Sequence, residues 1–507
     1  MFSKVSSLGL SGINAFPVDV EVDIRRGSPY FDIGGLPDTA VKESRERIRS
    51  ALYACGIKFP VASVVVNLAP ASTKKSGSVH DMAIFMAILR SADLVSEIPP
   101  DCAFIGEISL NGDIRGISGV LPMVMLAKEK NIHSVFVPYD NSREASVIDG
   151  INVYAVRNAV ELINHFQNVK KLSPCEKFIP SYDEYDYPFD FSEVKGQASA
   201  KKALEISAAG GHNVILVGNP GCGKSMLAKR MPSILPPLEF DEALETTKVH
   251  SIVGLVTPEM PIITKRPFRS PHHTTSSAGI VGGGTVLRPG EISLAHNGVL
   301  FLDEMAEFNR KTLDNLRQPL EDGIINVSRA SGSCSYPCDV IFIGAMNPCP
   351  CGYYGSTQRK CRCSERRITA YRSKVSGPLI DRIDLQIEVA PLEYQEMVSD
   401  KPEESSADIR KRVISARQIQ KERFRGTGIK CNALMTKSKI NEFCRLDEES
   451  REYMEKAFTV LGMSGRSHDS ILKVSRTIAD LEGSVDIQKK HISLAVRYKN
   501  LDRNPLI

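Results

Sequence analysis

The spacing of apolar and polar positions changes character several times along the chain. In residues 1–168, short alternating or near-continuous apolar runs (Val18–Ile24, Ser63–Leu68, Cys102–Ser109 and Ser134–Pro138) read as strands. Between them Thr39–Cys55, Val79–Arg90 and Val120–Lys130 carry helical spacing, so this segment predicts one α+β domain. Over 169–190 the periodicity fails in a stretch with three prolines and several acids, which predicts a linker. From Phe191 to about residue 390 strands and helices alternate again, the pattern of a parallel sheet with covering helices. Helical periodicity then fills 391–507 in five runs: Ile409–Phe424, Lys437–Phe443, Glu448–Leu461, Ser467–Glu482 and Ile487–Tyr498.

Two stretches of the α/β segment carry chemistry. The apolar run Asn213–Gly218 leads directly into Gly218-Asn219-Pro220-Gly221-Cys222-Gly223-Lys224-Ser225, and the helical run MLAKRM follows. This is the G-x-x-x-x-G-K-[ST] phosphate loop in its strand–loop–helix setting. Its glycines let backbone N–H groups close around phosphates at a helix N-terminus. Lys224 adds a point charge, and Ser225 is a candidate Mg²⁺ ligand. Further on, Gly298-Val-Leu-Phe-Leu-Asp303-Glu304 is an apolar strand ending in two carboxylates. Buried acids need a partner. Mg²⁺ held through water by Asp303 supplies one, and Glu304 is then placed to polarise an attacking water. The pair predicts ATP hydrolysis rather than a passive nucleotide switch.

Composition changes this picture little. The chain has 507 residues, a formal net charge of +4 and 24% charged residues, which leaves nucleic-acid binding to local patches. No apolar run reaches the roughly 20 residues that span a bilayer, and the opening MFSKVSSLGLSG lacks a secretory apolar stretch. The expectation is a cytoplasmic protein without a membrane partner. Of the twelve cysteines, Cys349, Cys351, Cys361 and Cys363 form C-x-C…C-x-C, a set of four thiolates suited to tetrahedral Zn²⁺. The spacing within each pair is shorter than usual for zinc, so four free thiols in a loop that orders on DNA or subunit contact remains the alternative. Cys334 and Cys338 read as unremarkable residues of a hairpin.

From Val194-Lys-Gly-Gln197 onward the chain resembles AAA+ ATPases of the magnesium-chelatase type, and as a whole it resembles the competence-associated ComM/YifB family. The stretches that carry the resemblance are Pro267-Phe-Arg-Ser-Pro-His-His273, Arg288-Pro-Gly-Glu-Ile-Ser-Leu-Ala-His-Asn-Gly298 and Met346-Asn-Pro-Cys-Pro-Cys-Gly352. The resemblance implies an AAA+ core over 191–390 with an insertion at 246–297 and the Cys-rich loop at 349–363, followed by a helical lid. It also implies a homo-hexameric ring with ATP between subunits. Asn347 matches the sensor asparagine that places the lytic water, Arg382 the arginine finger offered to a neighbour, and Arg466 the second sensor arginine. A similar Cys-rich insertion follows the sensor asparagine in the family, which favours structural zinc. Residues 1–168 resemble the Lon-protease-like fold through Phe104-Ile-Gly-Glu-Ile-Ser-Leu-Asn-Gly112 and Gly119. On that comparison Val79 stands where the nucleophilic serine belongs, with Ser78 one place off, and Leu121 where the activating lysine belongs, so a protease is not expected.

By the same resemblance the function is a DNA motor, a branch-migration helicase acting in homologous recombination of incoming DNA during natural transformation. An ATP-dependent remodelling factor for a protein partner and a chelatase-type motor subunit are the alternatives. Candidate DNA contacts are the hairpin Asn326–Tyr336 with Arg329, the insertion with Lys265, Arg266, Arg269 and Gly282–Gly284, and the Cys-rich loop with Arg359, Lys360, Arg362, Arg366 and Arg367. The helix Arg410–Lys430 holds eight basic residues against Glu422, a run that most often marks a solvated face. Lys74 and Lys75 of the first domain are compatible with DNA contact as well.

Overall fold

The computed structural model describes residues 1–181, 187–284, 287–329, 332–356, 359–392, 394–398 and 402–499. The chain divides into two compact units. The first comprises Met1–Ser181, Glu239–Thr264 and Gly332–Ser335, and the second Tyr182–Leu238, Lys265–Ser331 and Tyr336–Ile507. The insertion expected as one block at 246–297 is therefore divided, its first part belonging with the amino-terminal unit. The expected linker is divided too. Its first half joins the first unit, where Cys175 N donates to Val153 O at 2.7 Å and Phe178 N to Ser146 O at 3.2 Å.

In the first unit, strands β1 (Phe2–Ser11), β2 (Asn14–Arg25), β3 (Tyr30–Gly34), β4 (Ser63–Ala69), β5 (Cys102–Phe104), β8 (Ser134–Pro138) and β9 (Asn152–Val156) make a seven-stranded mixed sheet in the order β3-β4-β2-β1-β5-β8-β9. A separate short hairpin pairs β6 (Glu107–Ile108) with β7 (Ile114–Arg115). The two-residue period of the strands sorts their side chains onto opposite faces. Val5, Phe104, Phe136 and Val156 join one core with helices α1 (Thr39–Ala54), α2 (Asp81–Ser91) and α4 (Ala159–Phe166). Leu8, Ala103, Val135 and Val153 join another with α3 (Val120–Glu129).

The second unit is built on a five-stranded, all-parallel sheet. Its strands β10 (Val214–Gly218), β11 (Phe268–Arg269), β12 (Val299–Leu302), β15 (Ile341–Met346) and β16 (Leu385–Val389) lie in the order β11-β12-β15-β10-β16. The central strands β10, β12 and β15 are buried throughout, as a sheet covered on both faces requires. Between β12 and β15 the chain leaves as a two-stranded hairpin, β13 (Ile324–Arg329) with β14 (Gly332–Pro337). The side chain of Arg329 and residues 330–331 lie outside the described residues.

Among the described residues the longer helices between 198 and 372 are α5 (Ala198–Gly210), α6 (Lys224–Lys229), α7 (Phe240–Ser251) and α8 (Glu365–Arg372), of which α7 packs on α3 and belongs to the first unit. The carboxy-terminal helices, those expected to form a lid, are α9 (Ser406–Arg423), α10 (Lys437–Phe443), α11 (Glu448–Leu461), α12 (Gly465–Leu481) and α13 (Lys489–Lys499). The lid shares one continuous core with the sheet: Val413, Ile471 and Ile492 cluster with Leu204, Leu216 and Ile387.

Candidate nucleotide site

β10 delivers the chain into a loop that needs glycine. Gly221 and Gly223 hold φ of 80° and 93°, the left-handed region that L side chains avoid. Lys224 and Ser225 then open α6. Lys224 Nζ donates to the carbonyl oxygens of Gly218 (2.6 Å) and Asn219 (2.9 Å) and to Asn347 Oδ1 (3.2 Å). Burial lowers the pKa of the Lys224 ammonium, and the charges of Cys222, Asp303 and Glu304 recover only part of that drop. Ser225 Oγ donates to Asp303 Oδ2 at 2.6 Å.

Lys224, Asn347 and Asp303 follow the carboxyl ends of three adjacent strands, β10, β15 and β12. In an open parallel sheet that end is where ligands bind. The residues fit a nucleotide with its cation. A positively charged amine is held by carbonyl oxygens and the Cys222 sulfur with no carboxylate bonded to it, backbone N–H groups line a glycine turn, and a hydroxyl and a carboxylate meet where a divalent cation would sit.

Glu304 follows Asp303 at φ 49°, a left-handed backbone rarely adopted outside glycine and asparagine. Its carboxylate is exposed, and Oε2 lies 3.6 Å from His273 Nδ1. His273 is held between His272, with ring centroids 4.1 Å apart, and the edge of Phe308. The sequence flagged His272 and His273 only as part of a family signature and gave them no role. They follow β11, the strand beside β12, and that neighbourhood is what brings His273 to Glu304.

The four cysteines converge. Sγ of Cys349 lies 3.4 Å from Cys351 and 3.7 Å from Cys361, and Cys351 lies 3.6 Å from Cys361. All four sulfurs, Cys363 included, fall within 4.8 Å of one another. A tetrahedral Zn²⁺ with bonds of about 2.3 Å needs sulfurs roughly 3.8 Å apart, so this cluster fits the metal. The thiols also need a cation to ionise together. Burial would raise Cys351, but N–H groups of Arg362 and Tyr353 hold it at about 6. A backbone N–H would lower Cys361, yet burial and the Cys351 and Cys349 sulfurs push it up to about 12.

The knuckle is also part of the nucleotide site. Cys349 comes two residues after Asn347, and a Cβ on Gly352 would stand 2.5 Å from Cδ and Cγ of the phosphate-loop Pro220. Arg372 Nε anchors the intervening Pro348 O at 3.1 Å.

Arg382 and Arg466 are not brought to this end of the sheet. Asn213, which precedes β10, donates from Nδ2 to Arg382 O at 3.1 Å. Ser470 of α12 donates to Asp384 Oδ1 at 2.5 Å, just before β16 begins. Both arginines therefore stand at the amino ends of the strands, and β10 alone separates the two ends of the sheet by about 13 Å.

The basic run of α9 is largely consumed inside the second unit. Arg412 pairs with Glu205 and Glu404, Arg417 binds Ala208 O, Arg423 pairs with Asp480, and Arg410 binds Ser233 O. The helix ends at Arg423 rather than near Lys430. In the insertion, Arg266 binds Pro236 O and Asn297 O, and Arg269 pairs with Glu291. Among the described residues no helix is long and apolar enough to cross a membrane.

Residues 190–397 match the family described as magnesium chelatase, subunit ChlI, residues 20–141 match subunit ChlI of Mg-chelatase, and residues 403–499 match the C-terminal part of that subunit. Over 98% of its length the chain is 40% identical to 97% of the competence protein ComM of Haemophilus influenzae. Over 99% of its length it is 39% identical to 97% of the protein YifB of Escherichia coli. It is also 32% identical over 129 residues, 24% of this chain and 22% of the other, to Lon protease 2 of Bacillus subtilis. The chain belongs to the ComM/YifB family of magnesium-chelatase-type AAA+ proteins.

Proposed function

We propose that this chain is a ring-forming ATPase that drives DNA, working as a branch-migration motor during recombination. One observation carries the reading: the phosphate-gripping residues lie at the carboxyl ends of the strands and the two arginines at their amino ends, so a single chain holds half of the hydrolytic apparatus at each end of the sheet. A second copy completes each half, and successive copies stacked head to tail close a ring, a homo-hexamer in this proposal.

In this mechanism the backbone of 218–223 and the ammonium of Lys224 bind the phosphates. The Ser225 hydroxyl and the Asp303 carboxylate would hold Mg²⁺, which would neutralise charge on the phosphate oxygens. Glu304 takes the proton of the attacking water, and Asn347 orients that water. Arg382 and Arg466 of the adjacent copy stabilise the charge that develops, an effect that reaches orders of magnitude in other phosphate-transfer enzymes. Cys349, Cys351, Cys361 and Cys363 would hold Zn²⁺, which would fix the loop behind Asn347. A role in competence is proposed from the name of the Haemophilus relative, the competence protein ComM, and a cytoplasmic location goes with that reading.

The test is ATPase activity against protein concentration, with and without a synthetic four-way DNA junction, and strand displacement on that junction, using Lys224→Ala as control. The reading requires specific activity that rises with concentration and a several-fold stimulation by branched DNA. Stimulation by a protein partner alone would favour the remodelling alternative, and neither effect would leave the motor reading without support.

A further inference from the structure

Arg382 and Arg466 meet on one carboxylate. Nη2 of Arg382 bonds Glu321 Oε2, and Nη2 of Arg466 bonds Glu321 Oε1 at 2.6 Å. Glu321 lies on the short turn Pro319–Asp322 that leads into β13, held at its base by Cys338 N donating to Gly323 O at 2.8 Å. Two guanidinium charges share a single negative charge, so the cluster keeps a net positive charge.

Arg382 is otherwise incompletely engaged. It donates to Pro378 O, while its Nε is buried without a partner. Glu321 is 43% exposed and Arg466 44%, so solvent screens the pairing and a stronger anion can replace it. Two oxygens on one atom, gripped by two arginines, is also how guanidinium groups receive a phosphate.

We propose that Glu321 is an internal stand-in for phosphate. It holds Arg382 and Arg466 together in the unassembled chain and yields them to the terminal phosphate of nucleotide bound by a second copy. This rests on the reading that both arginines act on a neighbour. Glu321 has two opposed effects, competing with the incoming phosphate and keeping two like charges convergent. Competition dominates, because the carboxylate must leave both arginines before either reaches the phosphate, whereas convergence is regained on the phosphate itself. Glu321 is then a positioning residue that raises the threshold for assembly.

The experiment uses the full chain with a non-hydrolysable ATP analogue and Mg²⁺, and sedimentation to read the protein concentration at half-assembly. Glu321→Gln keeps the shape and removes the charge, and it should lower that concentration several-fold. Glu321→Asp, which keeps the charge, should stay near the wild type. The gain should vanish in the Arg382→Ala, Arg466→Ala background and shrink as salt approaches 1 M, where screening acts within about 3 Å. A role confined to local structure would show neither dependence. If the wild-type chain assembles with nucleotide and Glu321→Gln assembles no better, the stand-in role is wrong and the ring reading stands. If the wild-type chain never assembles, both fall.

Discussion

Two loops, one in each unit, lead into a helix through glycine, and their polar groups are satisfied in opposite ways. In the first unit, residues 75–81 run into α2. Ser78 Oγ donates to Glu107, Lys75 Nζ to Pro70 O, and Asp81 is enclosed by Ser44 and by Arg47, whose Nε lies 2.7 Å away. Val79, where a Lon-type nucleophile would stand, brings no nucleophilic atom at all. In the second unit, residues 218–225 run into α6. Lys224 rests on two carbonyls and an asparagine, and the Ser225 hydroxyl rests on Asp303. The first set are matched, permanent partners. The second are groups that phosphate and Mg²⁺ would each bind more strongly. The difference teaches how to tell a retained loop geometry from a working site: by whether its present partners are better than a ligand or merely available.

The sharpest break of this contrast is at Lys224. Lys224→Ala should lower ATP turnover on the order of 10²-fold or more and weaken nucleotide binding, measured by steady-state ATPase and a fluorescent ADP titration. Glu304→Gln should instead keep binding while losing about 10²- to 10⁴-fold in turnover, the range for a lost general base. Wild-type turnover in Glu304→Gln would remove the assignment of the base.

Next comes Arg47→Met. Removing the cation of an enclosed ion pair leaves the buried Asp81 carboxylate uncompensated and should destabilise the first unit by about 3 kcal/mol. Hydrogen exchange should report weaker protection of α1 and α2, with ATPase per folded chain unchanged. An equal loss of ATPase would show that the first unit's loop is not merely structural.

Much of this was legible from the chain. The five helical runs after residue 400 begin and end within about three residues of their expected limits, although the basic stretch read as helix to Lys430 is helical only to Arg423, and β4 and β8 keep their expected bounds closely. β1, Phe2–Ser11, escaped because serine and glycine blur its alternation, and β9 with α4 escaped because both are short. The phosphate loop was readable since backbone geometry forces glycine at fixed places. Glu321 was not: a single acid on a four-residue turn gives no periodic or spacing signal, and only the fold brings two distant arginines to it. The basic run of α9 shows the converse. Sequence counts its charges, but their partners, Glu205 and Asp480 among them, lie in other helices.

A milder perturbation acts through the Cys-rich knuckle, which packs on Pro220. Cys361→Ser should reduce zinc to well under one per chain and weaken nucleotide binding about tenfold, since a loosened Gly352 no longer braces the phosphate loop. Coupling of this kind is reciprocal. Bound ATP analogue should therefore slow zinc extraction from the wild-type chain by a chelator, followed with a colorimetric zinc dye. Extraction at the same rate with and without the analogue would show that the knuckle and the loop are energetically independent.

The smallest effect separates neighbours within the first loop. His80 Nδ1 lies 2.9 Å from Ser7 Oγ, whose own proton goes to Phe104 O, so the bare nitrogen is Nε2, buried without a partner. Burial, with the charge of Lys75, holds His80 down at about 3. The folded chain therefore refuses a proton that the unfolded chain accepts near pH 6.5, and stability is lost as pH falls through that value, by roughly 2 kcal/mol between pH 7 and 5. Asp81 acts in the opposite sense. Burial, against the bonds from Arg47 and Ser44, raises it to about 6, so the folded chain takes up a proton first and gains about 1 kcal/mol over the same interval. Relative to wild type, His80→Asn should flatten or reverse the acid loss of the first unit, and Asp81→Asn should steepen it, read from hydrogen exchange of α2 at pH 7 and 5. Asp384 of the second unit supplies the control. Burial would raise its carboxyl, but His212, Lys499 and Ser470 hold it at about 2, so its contribution is lost only as pH falls from about 4 toward 2. Matching slopes in the two variants would mean that neither side chain keeps its proton state as the loop's geometry demands.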